Sequence, residues 1–306
     1  MNNLNFRIFL LSAISALFLF TYCSKDRIDD DDDDDTTQLR TYEPMDAFYE
    51  ANRQQEQEFE LTGEGSGPIV GAQGTKLWLD STMFMYQNGD DVSYPFTIGL
   101  IELYTPKDII LYNMPTVSDG KLLSTDGEIR VKAYKDSVDL YLKPNAIYQA
   151  HMPSGDPSED MDIFYGVETS SYVDWTISTD PDDDISTDTE GYMMLLTKIG
   201  WINADYIYDF PMTKTSITFQ STTDSLDANV AKFLYFPDIP SVMQVYTGES
   251  GDVPIGDDAT VILFAMDAAG DMFYYSEDIT ISANPVIDVT LESITEDNLI
   301  SFLEGL

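Results

Sequence analysis

The sequence predicts a mainly β protein: two β-sandwich-like domains in tandem with a short C-terminal helix, preceded by a signal peptide and a disordered acidic tether. Three observations predict it. Apolar and polar residues alternate with strand period through most of the chain beyond residue 68, and the segments between are rich in Gly, Pro and Asp. One strongly polar internal run splits the patterned segments into two sets. Hydrophobic residues make up 43% of the 306 and aromatics 12%, which supports packed cores despite a formal charge of −40.

At the amino terminus, Arg7 precedes an uncharged apolar run over residues 8–20, the order of a signal peptide, and the run is shorter than the ~20 residues a membrane-spanning helix needs. Phe20-Thr21-Tyr22-Cys23 resembles a lipobox, with Tyr22 where a small residue is usual. The resemblance implies cleavage after residue 22 and a lipid on Cys23. Cys23 is the one cysteine, so no internal disulfide is available to it, and acylation accounts for a lone thiol on an exported chain. Next come Ser24, Lys25, Asp26 and the run Asp29, Asp30, Asp31 to Asp35, which resembles the acidic export signal of Bacteroidota surface lipoproteins. Seven like charges also repel, so residues 23–41 are expected to be an extended tether. The implied location is the outer membrane, lipid-anchored and exposed on the cell surface.

The first domain is expected at 42–179. Residues 41–61 are helix-permissive, with Pro44 suited to a first turn, and Gly63, Gly65 and Gly67 end that helix. Strands follow. Residues 96–103 are apolar on both faces until Glu102, as in an interior strand, and Ile129, Val131 and Ala133 form a hairpin with Val138, Leu140 and Leu142. Residues 180–190 hold Pro181, Asp182, Asp183 and Asp184 with Ile185 as the lone apolar residue, and read as an acidic linker. The second domain, 191–306, has strand patterns at 192–196, 216–220, 231–236 and 260–266, then a hairpin into 272–275. Ser293 and Glu296 have capping-box spacing, and Leu299, Ile300, Phe302, Leu303 and Leu306 give a helical stripe that should dock on the second sheet.

Three segments then carry a family resemblance: Gly74-Thr75-Lys76-Leu77-Trp78-Leu79, Gly99-Leu100-Ile101-Glu102-Leu103-Tyr104 and Thr116-Val117-Ser118-Asp119-Gly120-Lys121-Leu122-Leu123. In that order they resemble the β-sandwich module shared by ankyrins, zonula occludens protein and netrin receptors, in its divergent Bacteroidota surface-protein form, over residues 59–175. Asp126-Gly127 stands where that form favours two glycines, so the turn there is expected to differ. Some eukaryotic relatives cleave themselves at a His-Phe-Ser site; His151 here is followed by Met152 and Pro153. The resemblance implies an interaction module and names no reaction.

The charge excludes nucleic acid as a partner, because phosphate binding needs a basic patch, and it disfavours anionic lipid headgroups. Nucleophilic catalysis with an imidazole base has one candidate, His151, at a strand end, where a structural or solvent role is the expectation. Glu102 shares a face with Phe96, Ile98 and Leu100 and is expected to be partly buried beside a strand lysine or arginine. Asp180, Asp182, Asp184 and Asp188 offer a weak Ca²⁺ set, but Ile185 and Gly191 stand where an EF-hand needs glycine and glutamate. Trp78, Trp175, Trp201 and the pair Tyr274-Tyr275 are expected to be mostly core, with a glycan platform as the alternative. No catalytic residues are assigned. The expected function is a lipid-anchored surface protein of non-enzymatic binding, adhesion or envelope-assembly type with a protein or glycan partner. The alternatives are a glycan-processing enzyme with paired carboxylates and a calcium-stabilised adhesion module.

Overall fold

The structure is a computed structural model that describes residues 38–63, 67–168, 173–208 and 213–306. The leader, Cys23, the export residues Ser24 to Asp31 and most of the tether lie outside the described residues. The rest is mainly β, with three short helices among the described residues, one of them C-terminal.

Two sheets form the first sandwich. The larger is antiparallel and has eight strands, running in the order Gln57–Leu61, Phe96–Leu103, Lys121–Lys135, Gly200–Ile207, Asp162–Glu168, Val173–Ile177, with two short strands off this path. Facing it are five strands in the order Asp184–Thr187, Gly191–Leu196, Tyr148–Pro153, Lys76–Trp78, Ile69–Val70. Period-2 alternation sends Phe96, Ile98, Leu100, Ile129 and Val131 inward against Leu77, Tyr148, Ala150 and Met194, all buried. Burying side chains of this size contributes roughly 1.5–3 kcal/mol each.

Phe96–Leu103 is covered on both faces, as its apolar residues on both faces predict, because the second face of the large sheet is not solvated. Ile101, Leu103, Leu123, Phe164 and Trp201 join Phe233, Ile262 and Phe264 of a third sheet in a shared core. That third sheet runs Ser241–Gln244, Ala231–Phe236, Asp258–Met266, Met272–Thr280, Glu292–Ile294. Its far face, through Leu234, Phe236, Val261 and Leu263, packs on Phe219 and Ile287 of a parallel strand pair. Gln38 to Leu306 therefore belong to one body with a continuous seam between its halves.

Helices fill the seam. Asp46–Asn52 (α1) buries Phe48, while Pro106–Tyr112 (α2) starts with Thr105, whose Oγ1 accepts from the Asp108 N–H at 3.2 Å and donates to the Asp108 carboxylate at 2.8 Å. Glu296–Glu304 (α3) buries Leu299 and Leu303 in the seam core, and Lys107 of α2 pairs with its Glu304 at 3.1 Å.

Four expectations are corrected. The run 180–190 is no linker: Asp184–Thr187 pairs with Gly191–Leu196 as an edge strand, and Gly200–Ile207 lies inside the large sheet between Lys121–Lys135 and Asp162–Glu168. Residues 191–207 thus belong to the first sandwich rather than to the second domain. An edge strand tolerates acidic outward positions, Ile185 supplies the inward apolar contact, and Asp183 accepts from the Tyr165 hydroxyl at 3.0 Å and the Thr197 N–H at 2.7 Å. The helix expected over 41–61 ends at Asn52, because Gln57–Leu61 gains a ladder against Phe96–Leu103. The cap of α3 is Thr295, accepting from the Asn298 N–H, and not Ser293, which sits in the preceding strand.

The fourth concerns the tether's end, since Arg40 and Thr41 are already part of the fold. The Arg40 N–H bonds the Thr223 carbonyl at 2.8 Å, and its guanidinium bonds the Leu291 carbonyl at 3.0 Å and lies over the Phe273 ring. Asp224 gathers this corner, accepting from Tyr42 at 2.6 Å and the Leu291 N–H at 3.1 Å, with Arg40 at 3.5 Å. Burial opposes its charge, yet the bonds from Tyr42, Thr223 and Leu291 together with Arg40 prevail and hold its carboxyl below the usual range. Such a group stabilises above its unfolded pKa and loses that contribution as pH falls through the folded one. Asp224→Asn is expected to cost about 2 kcal/mol at pH 7, with the loss shrinking toward pH 3, read from urea midpoints at the two pH values.

Candidate functional site

The site begins with a bulge. In the pairing of Lys121–Lys135 with Gly200–Ile207, Glu128 faces Asn203 and Thr125 faces Asp205, so Asp126 and Gly127 together oppose Ala204 alone. Gly127 holds φ +131, and a Cβ there would stand 2.1 Å from the Tyr104 ring, so a side chain is excluded at this position. Tyr104 is itself fixed by a 2.7 Å hydrogen bond with the Thr75 hydroxyl.

The bulge aims the Asp126 side chain off the sheet. Its Oδ2 accepts from the Ser154 hydroxyl at 3.0 Å and from the Tyr192 hydroxyl. The Thr125 N–H reaches across to the Pro240 carbonyl at 2.8 Å, and Thr116 bonds the Val242 N–H at 2.7 Å through its hydroxyl, tying the bulge to the third sheet. Between these parts lies a cavity of about 600 Å³ lined by Tyr104, Thr105, Asp126, Ser154, Tyr235 and Ser241 among others. Its walls come from the first sandwich, the start of α2 and the turn at Pro240, so the seam itself forms it.

Beneath the cavity floor runs a buried polar chain. The Thr125 hydroxyl donates to the Asn203 side-chain oxygen Oδ1 at 2.9 Å, and the Asn203 side-chain Nδ2 donates to Asp205 Oδ2 at 2.5 Å. Asp205 Oδ1 and both oxygens of Glu128 are buried without a hydrogen-bond partner among the described residues. Burial, with the Asp205 charge second, pushes the Glu128 carboxyl well above the ordinary range. Burial likewise pushes Asp205 up, reinforced by Asp126 and opposed by the Thr125 and Asn203 hydrogen bonds. Burial thus favours the protonated form of each. They are sealed acids and not an open pair.

The residues singled out in the sequence lie elsewhere. Glu102 is 1% exposed, more buried than expected, but its partners are the Gln57 amide at 2.8 Å and the Gln73 and Thr75 N–H groups at 2.9 Å, and not a lysine or arginine. It closes the 71–75 turn, because backbone donors in that turn suit a buried carboxylate. His151 is buried in Tyr148–Pro153 with Nε2 3.5 Å from Asp188.

Of the calcium set, Asp180 accepts from the Asp182 N–H at 3.1 Å, Asp184 begins the edge strand, and Asp188 accepts from the Glu190 and Gly191 N–H groups at 2.7 and 3.1 Å. They are turn and strand residues, and no group of three or more His, Cys, Asp or Glu is arranged for a metal ion among the described residues. Trp175 and Trp201 are core, and Tyr274 and Tyr275 pack on opposite cores, as neighbours on a strand must.

Asp126, Ser154, Tyr192 and Tyr235 were not picked out by motif, since each is an ordinary residue until the seam closes. The departure at Asp126-Gly127 was the one signal in the sequence.

No protein-family model and no curated protein matches the chain. Among solved structures, the gamma-CGTase from alkalophilic Bacillus clarkii aligns with 78% of this chain and 41% of its own, at 8% identity and a TM-score of 0.20. The chain spans less than half the length of that protein, and a likeness this slight carries no argument about fold or reaction.

Proposed function

We propose that the chain is a non-enzymatic, lipid-anchored cell-surface protein that binds its partner in the seam cavity. One observation carries the choice of binding over catalysis. Acid–base cleavage of a glycoside needs two carboxyl groups reaching the same bond from opposite sides, whereas the cavity presents Asp126 alone while Glu128 and Asp205 are sealed beneath it. The Ser154 hydroxyl donates to Asp126 and no imidazole lines the cavity, so a serine nucleophile has no base of the usual kind.

The anchor rests on the apolar run, Cys23 and the aspartate tail.

The alternative of glycan processing draws on the same two sealed acids, which would have to be uncovered during turnover. Incubation with a polysaccharide panel and metabolic labelling with a palmitate analogue test the proposal together. Label on the wild type, none on Cys23→Ala, and no released sugar are the expected results. Hydrolysis of any polysaccharide that is lost in Asp126→Asn would replace binding with catalysis, and an unlabelled wild type would remove the anchor.

A further inference from the structure

The geometry points to the seam cavity as a receptor for one basic side chain, a lysine ammonium or an arginine guanidinium, presented by a protein partner; this rests on the binding reading above. Charge is the first ground. Asp126 is the one formally charged residue on the lining, and no lysine, arginine or histidine stands among the lining residues. An anionic ligand would meet an unscreened carboxylate there with nothing to offset it.

The second ground is how Asp126 is held. Its Oδ2 is occupied by the Ser154 and Tyr192 hydroxyls, which fix the group without neutralising it, while Oδ1 has no hydrogen bond among the described residues and is not sealed. A positioned carboxylate with one free oxygen is an acceptor for N⁺–H, and such charge-assisted bonds are about twice as strong as neutral ones.

Shape is the third. The lining is mixed: Pro106, Ile109, Pro153, Pro240 and Val242 give it apolar surface beside the polar groups around Asp126. Lysine and arginine have that profile in reverse, an aliphatic stem carrying a charged tip. Tyr235 adds a ring face whose hydroxyl makes no hydrogen bond among the described residues, so it is free to meet a cation or to accept from it. A sugar would want a broad, open aromatic platform, but the Tyr104 hydroxyl is already committed to Thr75 and its ring lies against Gly127. Finally, a chain of formal charge −40 draws basic partners to its surface before any specific contact forms.

Isothermal titration of the full chain in detergent tests this with four probes: a blocked pentapeptide with central lysine, the same with arginine, the same with norleucine, and a neutral oligosaccharide. The lysine and arginine peptides should bind, the norleucine peptide should not, and binding should weaken as salt is raised. Asp126→Asn should weaken the basic peptides about tenfold or more. Tyr235→Ala, which removes no hydrogen bond, should weaken them too and serves if the Asp126 variant does not fold. Equal binding of norleucine and lysine, or unchanged affinity in both variants, overturns the proposal. Oligosaccharide binding that Tyr235→Ala abolishes, with no peptide binding, overturns the basic-side-chain assignment and leaves the seam as a binding site. No binding of any probe overturns both.

Discussion

Gly191→Ala is expected to destabilise the protein by about 3 kcal/mol or more, the largest effect of any single methyl group added at a described glycine. Gly191 holds φ +146, a conformation that side chains other than hydrogen rarely adopt, and a Cβ there would lie 2.0 Å from the Met152 carbonyl oxygen and 2.6 Å from the Ser154 nitrogen. Those atoms are backbone of the paired strand and cannot rotate aside. The Ser154 N–H is bonded to the Glu190 carbonyl at 3.0 Å and the Asp188 N–H to the Gly191 carbonyl at 2.9 Å, so relief would break the ladder. Ser154 also lines the cavity, and the damage should reach it. Gly155→Ala is the control, with nothing within 4 Å of its added carbon and an expected change within about 0.5 kcal/mol. Urea midpoints of the two variants measure the contrast, and equal midpoints would show that the turn from Asp188 to Gly191 can relax.

Glu128→Gln and Asp205→Asn are expected to stabilise the protein at neutral pH, by a margin that grows as pH rises. Both carboxyls are buried and pushed well above their ordinary values. In the unfolded chain they titrate near their model values of about 4, so between there and the folded value the native state binds protons that the unfolded state has released. Stability therefore falls as pH rises through that window, by about 1.4 kcal/mol per pH unit for each group, and the fall ends above the folded pKa. An amide has no proton to lose and keeps the shape. Melting temperatures of wild type and the double variant from pH 4 to pH 8 should diverge, the variant melting higher at the alkaline end. A constant difference across that range would mean that the two groups bind protons alike in the folded and unfolded chain, and that burial does not shift them. Asp224 moves oppositely, because its folded pKa is lowered, so the two effects separate on the pH axis.

Period-2 alternation made the strands legible one at a time. Phe96–Leu103 reads as interior because both of its faces are apolar, and it is interior. The turn after Lys135 is as local a matter: Asp136 and Ser137 both take positive φ, as a two-residue hairpin needs. Partnership was less legible. Asp180 to Glu190 looks like a linker because composition reports solvent exposure, and an edge strand with one inward residue has nearly the same composition as a loop. Gln57–Leu61 looks like helix because Gln and Glu favour helices, until the free edge of Phe96–Leu103 offers a ladder.

The candidate site was hidden for the same reason. Asp126 comes from a bulge, Ser154 from a turn, Tyr192 from an inner strand and Tyr235 from the third sheet, with no spacing that links them. What the chain's own residues determined was the class of most elements, the strong net acidity, and the expectation of an anchor at Cys23, for these depend on neighbours within a few residues or on sums over the whole chain. The tertiary structure alone decided which strands pair, that two sandwiched halves share one buried seam, and that this seam leaves a cavity with a single open carboxylate above two sealed acids. Burial and the meeting of distant side chains are properties of closed packing, and no local pattern encodes them.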